Sequence, residues 1–241
     1  MNKSKVIGLL LVGLGLAWSC NDAAKIKSKP LNKVYVVGAM KDAMWKGELY
    51  PKVLLDTIDN KEGLYGIGPK SYMRGELMII NGKTYQSIID DKNNLRVEEQ
   101  YGLSAPFFVY ANASVWDTLV LPKTVKTIKS IEHFIATKHH DSFPIVFKLL
   151  GKIAKAEIHV QNLPEGTNVS SPKEAHVGQR QFLIENQEVV VIGFYSKTHQ
   201  GIFTHHDAYS HMHLITKDTK YMGHLDDITI DQMNLLLPKL D

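Results

Sequence analysis

The residues with the clearest chemical potential are three histidines near the carboxyl end of the chain. His211 and His213 are two residues apart, and on a β-strand this spacing places both side chains on one face. A turn centred on Asp218–Thr219 would place His224 directly opposite His213 on an antiparallel partner strand. Three imidazoles would then converge on one patch of one sheet face. This is the ligand set of a zinc ion that keeps one coordination position open.

The same pattern has plainer explanations. Histidines at alternate positions of an exposed strand are often only polar positions, and opposed histidines can simply hydrogen-bond. A register shift of one residue would turn His224 to the other face of the sheet. His205 and His206 precede the hairpin, either as supporting groups of a site or as solvated loop residues. Three more histidines are interpreted as surface residues: His139, His140 and His199.

Composition limits the kinds of site that this chain can build. The 241 residues suit one large domain or two small domains packed together. There are 28 Lys and Arg against 25 Asp and Glu, and no dense basic cluster indicates nucleic-acid binding. The single cysteine excludes an intrachain disulfide and a zinc site with several thiolates. Histidines and carboxylates must therefore hold any metal.

The first twenty residues are typical of an export signal. Two lysines precede an apolar run over 6–18 that is too short for a membrane-spanning helix. The run ends before Cys20, as in a bacterial lipoprotein signal, so we expect cleavage before Cys20, lipidation of it and a polar tether over 21–32. An uncleaved anchor and a signal cut without lipidation are the alternatives. The prediction is an exported protein, held to a bacterial membrane by its lipid alone, on the periplasmic or cell-surface side.

The body of the chain predicts many strands and few helices, a mixed α+β or α/β fold. Asn81-Gly82 favours a type I′ turn between strands at 75–80 and 83–89. Apolar spacing predicts helices over 42–57, despite Pro51, and over 124–139 and 143–155. We expect an N-terminal α/β half over 33–152 and a C-terminal, β-rich, metal-binding half over 153–241.

Motifs spread over about 160 residues resemble those of the alpha-acetolactate decarboxylase family, a resemblance that covers roughly residues 55–230. The matching segments occur in the family's order: Gly75-Glu76-Leu77, Asn81 to Tyr85, Ser104 to Phe108, Ile192-Gly193-Phe194, His211-Met212-His213 and Met222-Gly223-His224. The resemblance implies a two-part fold, in which a mixed β-sheet continues into a β-barrel-like half that carries the metal. It also implies a homodimer.

The resemblance further implies three zinc ligands, His211, His213 and His224, and a metal-site glutamate, Glu76. The family reaction converts 2-acetolactate to acetoin and carbon dioxide. A divalent metal would act as a Lewis acid that stabilises the enediolate left by decarboxylation. Glu76 would ligate or orient the metal and carry a proton to the enediolate. Without the resemblance, Glu76 would be interpreted as an exposed strand residue in a salt bridge.

The sequence departs from the family pattern in two places. The family's arginine, which is expected to hold the substrate carboxylate, falls by count near Glu174. Arg180 or Lys173 could supply the positive charge, and the sequence assigns neither. The family's glutamate near the C-terminus is also missing. Asp231, Asp241 or a water molecule could take its place.

Three functions compete at this point. The favoured one is a metal-dependent decarboxylase acting on 2-acetolactate or a related small 2-hydroxy-3-keto acid. The second is a surface-anchored zinc-binding protein with a different anionic ligand and little decarboxylase activity. The third is a structural lipoprotein whose histidines are incidental. The joint presence of Glu76 and all three histidines favours the enzyme, because a binding protein has less need of that glutamate.

Overall fold

The structure is a computed structural model that describes residues 32–140 and 143–239. The predicted signal segment, Cys20, nearly all of the tether and Asp241 lie outside these residues. Lipidation at Cys20 and export therefore stay predictions. None of the helices in the described ranges is long and apolar enough to cross a membrane.

The described chain is mostly β-sheet with few helices. The α-helices are α1 (Met40–Lys46), α2 (Ile128–Lys138) and α3 (Pro172–Ala175), and short 3-10 helices lie at Leu55–Thr57 and Ser71–Met73. The strands, in chain order, are β1 (Val34–Val37), β2 (Val53–Leu54), β3 (Leu64–Pro69), β4 (Glu76–Ile80), β5 (Lys83–Ile89), β6 (Leu95–Glu99), β7 (Ser104–Ala105), β8 (Phe108–Asn112), β9 (Trp116–Val120), β10 (Ile145–Val160), β11 (Arg180–Glu185), β12 (Glu188–Tyr195), β13 (Ser210–Thr216) and β14 (Met222–Pro238).

The first six-stranded sheet, here called the N-terminal sheet, has the order β1-β8-β3-β4-β5-β6. Its β4–β5 hairpin confirms the predicted turn. Asn81 and Gly82 have φ of 49° and 84°, the left-handed conformations that a type I′ turn requires at both central positions. This hairpin fixes the register of β4, which begins with Glu76.

The second six-stranded sheet, here called the C-terminal sheet, has the order β11-β10-β12-β13-β14-β9, and β14 also pairs with β10. All pairings between these named strands are antiparallel, so the mixed sheet that the resemblance implied is not found in the described residues. Strands that follow one another through short turns must run antiparallel. A barrel-like half stays a prediction.

The helix predictions met three different outcomes. The helix predicted over 124–139 is confirmed by α2, which Thr127 caps. The prediction over 42–57 is wrong beyond Lys46, since Gly47 ends α1 in a left-handed conformation with φ of 63°. The prediction over 143–155 is also wrong, because this segment forms the first part of β10 and pairs with β12. Its apolar run is as compatible with a buried strand as with a helix.

The chain changes sheet between Asn112 and Trp116. The predicted boundary between residues 152 and 153 falls inside β10, which continues from Ile145 to Val160. The two-part organisation therefore follows the sheets, while the division at 152/153 stays a prediction.

The C-terminal sheet has an apolar core on each face. One face packs on α2 through residues such as Ile131, Met212 and Leu214. The other face packs on the N-terminal sheet through residues such as Met78 and Ile215. Alternation along β13 therefore directs positions 211, 213 and 215 into the space between the sheets.

Gly223 lets β14 approach β10 beside His224, and this contact generates a testable prediction. A Cβ atom at Gly223 would lie 2.4 Å from the backbone oxygen of His159. We expect Gly223→Ala to lower the free energy of unfolding by about 2 to 4 kcal/mol in urea titrations, because backbone must move. The control is Gly166→Ala, whose Cβ meets nothing within 4 Å and whose φ is +77°, so only about 1 to 2 kcal/mol is expected. Equal losses would contradict the packing argument.

Candidate metal centre

Three histidines meet on the inner face of the C-terminal sheet. His213 on β13 pairs with His224 on β14, which confirms the predicted register. His211, His213 and His224 each offer one ring nitrogen, and these three nitrogens all lie within 4.8 Å of one another. Their relative exposures are 3% for His211, 0% for His213 and 8% for His224. The structure therefore brings the three predicted residues together as a group that could hold a metal ion.

The hydrogen bonding of these histidines fits a metal. His211 Nδ1 and both ring nitrogens of His213 are buried without a hydrogen bond of good geometry. Leaving a buried polar atom unpaired costs about 1 to 3 kcal/mol, so such atoms need a structural or functional explanation. A coordinated cation would pair the ring nitrogens that face it. Three imidazoles with room for one more ligand also form a common zinc donor set.

The surroundings keep the three rings neutral, which is the form that binds metal. Burial lowers the pKa of His213 to about 3, with a smaller contribution from His159. Burial likewise lowers the pKa of His211 and of His224 well below the usual value, and neighbouring histidines add to the shift. The backbones of Phe203 and Leu77 offset these shifts only in part.

Glu76 faces the histidines from the N-terminal sheet. Its Oε2 lies 3.6 Å from His213 Nε2, and its Oε1 accepts a hydrogen bond of 3.3 Å from the backbone N–H of Gln161. Only 2% of Glu76 is exposed, so the alternative of an exposed strand residue is wrong. Burial raises the pKa of Glu76 well above its usual value, and the Asp226 carboxylate adds to this shift.

The backbone just before Glu76 is strained. Tyr72 and Met73 adopt left-handed conformations with φ of 62° and 53°, which bulky side chains rarely tolerate. Met73 is buried against α1, and its carbonyl accepts a hydrogen bond of 2.9 Å from the N–H of Leu163. These contacts join the start of β4 to the segment that follows β10.

Glu76, His211 and His224 line a small cavity of about 20 Å³. Further polar residues that were not predicted from the sequence also line it: His159, Gln161 and His176. The His159 ring centroid lies 4.6 Å from that of His224, and its Nδ1 lies 2.7 Å from Asp226 Oδ1. His159 stands opposite His224 because β10 also pairs with β14. No feature of the sequence indicated this pairing partner.

The residues considered as substitutes for the family's arginine lie away from the cavity. Arg180 is exposed and donates a 3.1 Å hydrogen bond to Asn93 Oδ1. Lys173 is exposed on α3. Within the described ranges the cavity lining contains no lysine or arginine. Neither Arg180 nor Lys173 therefore lies beside the histidines in this structure.

The two acidic positions considered at the sequence level are also remote. Glu174, where counting placed the arginine, accepts hydrogen bonds from the backbone and hydroxyl of Ser170. Asp231 is exposed and lies 3.7 Å from Lys152 Nζ. Neither lines the cavity, so Asp231 does not replace the missing C-terminal glutamate in this structure.

The remaining histidines differ in their surroundings. His205 lines the cavity, with its ring centroid 5.3 Å from that of His224, while His206 and His140 are exposed. His139 was predicted at the surface but is buried, with its Nε2 2.8 Å from the Phe143 carbonyl oxygen. His199 is only partly exposed and contacts the Ser196 hydroxyl at 2.8 Å.

A larger cleft of about 780 Å³ shares His205 and His224 with the small cavity. It runs along α2 and the segment that leads into β13, and its lining includes His205, His224 and Asp226. Glu132 on α2 fixes that segment, because its Oε1 accepts hydrogen bonds from the Tyr209 N–H and the Ser210 hydroxyl. Of the three predicted ligands, only His224 lines this cleft.

Comparisons with known proteins find relatives of this chain. The sequence model of the family described as alpha-acetolactate decarboxylase matches residues 34–241. The alpha-acetolactate decarboxylase of Lactococcus lactis subsp. cremoris is 24% identical over 208 residues, which span 85% of this chain and 82% of the relative.

Solved structures share the fold. An acetolactate decarboxylase from Bacillus subtilis subspecies spizizenii superposes with a TM-score of 0.70 and 20% identity, covering 87% of each chain. A Staphylococcus aureus protein of unknown function, similar to alpha-acetolactate decarboxylase, superposes with a TM-score of 0.73 and 16% identity, also over 87% of each chain.

Removing one of the three imidazoles should remove the metal. We expect His213→Ala to reduce bound zinc from about one per chain to a small fraction of that, because two neutral imidazoles hold zinc far more weakly than three. The measurement is metal content by mass spectrometry after dialysis against zinc. His140→Ala, an exposed histidine, is the matched control. Full zinc occupancy in His213→Ala would contradict the site.

The neutral histidines also predict a pH dependence for the metal-free protein. The pKa of His213 falls from about 6.5 in the unfolded chain to about 3 in the folded chain. The unfolded chain then binds more protons between these values, so the free energy of unfolding falls as the pH is lowered through this window. His211 and His224 act in the same direction, and Glu76 opposes them with a single proton.

Urea titrations at several pH values between about 7 and 4 give the free energy of unfolding at each pH, and hence its slope against pH. His213→Gln should reduce it by about 1.4 kcal/mol per pH unit. An unchanged slope in the variant would show that His213 is not held neutral by the fold.

Proposed function

Because the chain belongs to the alpha-acetolactate decarboxylase family, we propose that it is a metal-dependent enzyme that converts 2-acetolactate to acetoin and carbon dioxide. The observation that carries the proposal is the meeting of two sheets at one point. Three buried histidines on the C-terminal sheet face a buried carboxyl group on the N-terminal sheet, with 3.6 Å between His213 Nε2 and Glu76 Oε2.

His211, His213 and His224 would hold the metal through neutral imidazole nitrogens. Decarboxylation of a 2-hydroxy-3-keto acid leaves negative charge on carbon, delocalised into the neighbouring ketone. A bound divalent cation such as zinc supplies Lewis-acid stabilisation of that charge, which is worth several kcal/mol at the transition state. The buried setting strengthens the effect, because little water is present to screen the charges.

Glu76 would supply the proton that the reaction needs. Loss of carbon dioxide leaves a carbanion equivalent that must gain one proton to become acetoin. In the metal-free protein, burial raises the pKa of Glu76 well above its usual value, so its carboxyl group holds a proton at higher pH than an exposed glutamate does. The backbone N–H of Gln161 holds Oε1, which leaves Oε2 on the side of the histidines. Solvent then restores the proton to Glu76.

A zinc-binding protein for another anionic ligand is less well supported. Binding alone gives no reason to bury a carboxyl group, at a cost in desolvation, 3.6 Å from a candidate ligand. The proton delivery proposed for Glu76 does give such a reason. In this proposal the substrate is a small 2-hydroxy-3-keto acid, as the family membership of the chain suggests.

The proposal predicts that turnover and metal binding can be separated at Glu76. The protein without residues 1–20, loaded with zinc, should form acetoin from racemic 2-acetolactate. Glu76→Gln should keep its zinc and lose at least about 100-fold in kcat, because the amide cannot deliver the proton. Acetoin formation and zinc content are measured on the same samples.

Glu157→Gln, at an exposed position of β10, is the control and should retain full activity. Zinc without acetoin in the unsubstituted protein would overturn the proposed reaction. Loss of zinc in Glu76→Gln would instead make Glu76 a metal ligand.

A further inference from the structure

Gln161 is a buried side chain whose hydrogen bonds are incomplete. It follows directly after β10, is 3% exposed, and lines the cavity that Glu76, His211 and His224 also line. Its Oε1 has no hydrogen-bond partner. Its Nε2 has only two long contacts, 3.4 Å to His159 Nε2 and 3.5 Å to Gln179 Oε1. The amide therefore presents an unused acceptor and a weakly used donor.

The other buried glutamine on the opposite sheet shows how a structural amide is normally satisfied. Gln86 on β5 is 4% exposed. Its Oε1 accepts a 2.8 Å hydrogen bond from Lys70 Nζ, and its Nε2 donates a 2.8 Å hydrogen bond to Glu98 Oε1. Because burying an unpaired amide oxygen is costly, the free end of Gln161 points to a ligand that completes its hydrogen bonds.

The chemistry of that ligand follows from the two ends of the amide. Oε1 needs a donor, such as a hydroxyl group, and Nε2 needs a better acceptor, such as a carboxylate oxygen. A 2-hydroxy acid carries both groups on one carbon. The described cavity lining lacks lysine and arginine, and the neutral amide of Gln161 has both the acceptor and the donor that these two groups need.

We propose that Gln161 recognises the hydroxyl and carboxylate groups of a 2-hydroxy acid bound at the histidines, so that it determines specificity in place of a charged clamp. This inference rests on the proposed function for the identity of the substrate. The backbone N–H of Gln161 holds Glu76 in any variant, so a change of the side chain leaves the proton donor in position.

The test compares how tightly two small acids bind to the zinc-loaded protein. The probes are 2-hydroxyisobutyrate and pivalate, which differ by a hydroxyl in place of a methyl group. Zinc itself also favours the hydroxy acid, and that part of the preference is common to all variants. We expect Gln161→Met to reduce the ratio of the two affinities by about 10- to 100-fold, since a site built to hydrogen-bond a hydroxyl loses that discrimination with its partner.

Gln86→Met is the matched control and should keep the wild-type ratio, although it removes two good hydrogen bonds and lowers stability. Calorimetric titration gives the affinities, with zinc content measured on each sample. If Gln161→Met does not fold, Gln161→Asn keeps an amide but shortens its reach, and should lose the preference likewise. An unchanged ratio in a folded, zinc-loaded Gln161 variant would overturn the inference.

The outcome is separable from that of the proposed reaction. If the unsubstituted protein forms no acetoin but its preference for the hydroxy acid depends on Gln161, the proposed function fails and the recognition role stands. If acetoin forms and the ratio is unchanged, the function stands and Gln161 has no role in recognition. If neither acid binds, the inference is overturned.

Discussion

The candidate metal centre depends on the antiparallel pairing of His213 with His224. This register decides which face of the C-terminal sheet carries polar side chains, because alternate residues of a strand point to opposite faces. A slip of one residue would send His224 toward the apolar packing with α2 and bring Gly223 opposite His213. The same pairing places His224 beside β10, which contributes His159 to the site.

The cost of this arrangement explains several features around it. Three imidazoles and a carboxyl group occupy the interface between the two sheets, beside an apolar cluster that includes Met78 and Ile215. In the metal-free protein, burial lowers the pKa of His213 to about 3 and raises the pKa of Glu76 well above its usual value, so burial opposes the charged form of both groups. The unpaired nitrogens of His211 and His213, and the unpaired oxygen of Gln161, are the part of this cost that a cation and a substrate would offset.

Local patterns in the sequence were sufficient to predict the hairpins of the site. The Asn81-Gly82 turn and the β13–β14 turn are short, so the register follows from turn chemistry and alternation. That His159 and Gln161 neighbour the site could not be predicted, because it depends on the pairing of β10 with β14, in which His159 and His224 are 65 positions apart in the sequence. The run at 143–155 was mistaken for a helix for a related reason, since continuous apolar residues fit a buried strand equally well.

The most direct test of the central claim is X-ray absorption spectroscopy at the zinc edge on the protein loaded with one equivalent of zinc. The account predicts three imidazole nitrogens at about 2.0 to 2.1 Å, with oxygen completing the coordination, and loss of one imidazole in His224→Gln. Zinc bound mainly through oxygen, or a spectrum unchanged by His224→Gln, would contradict it, because the strand pairing would then not be what assembles the metal centre.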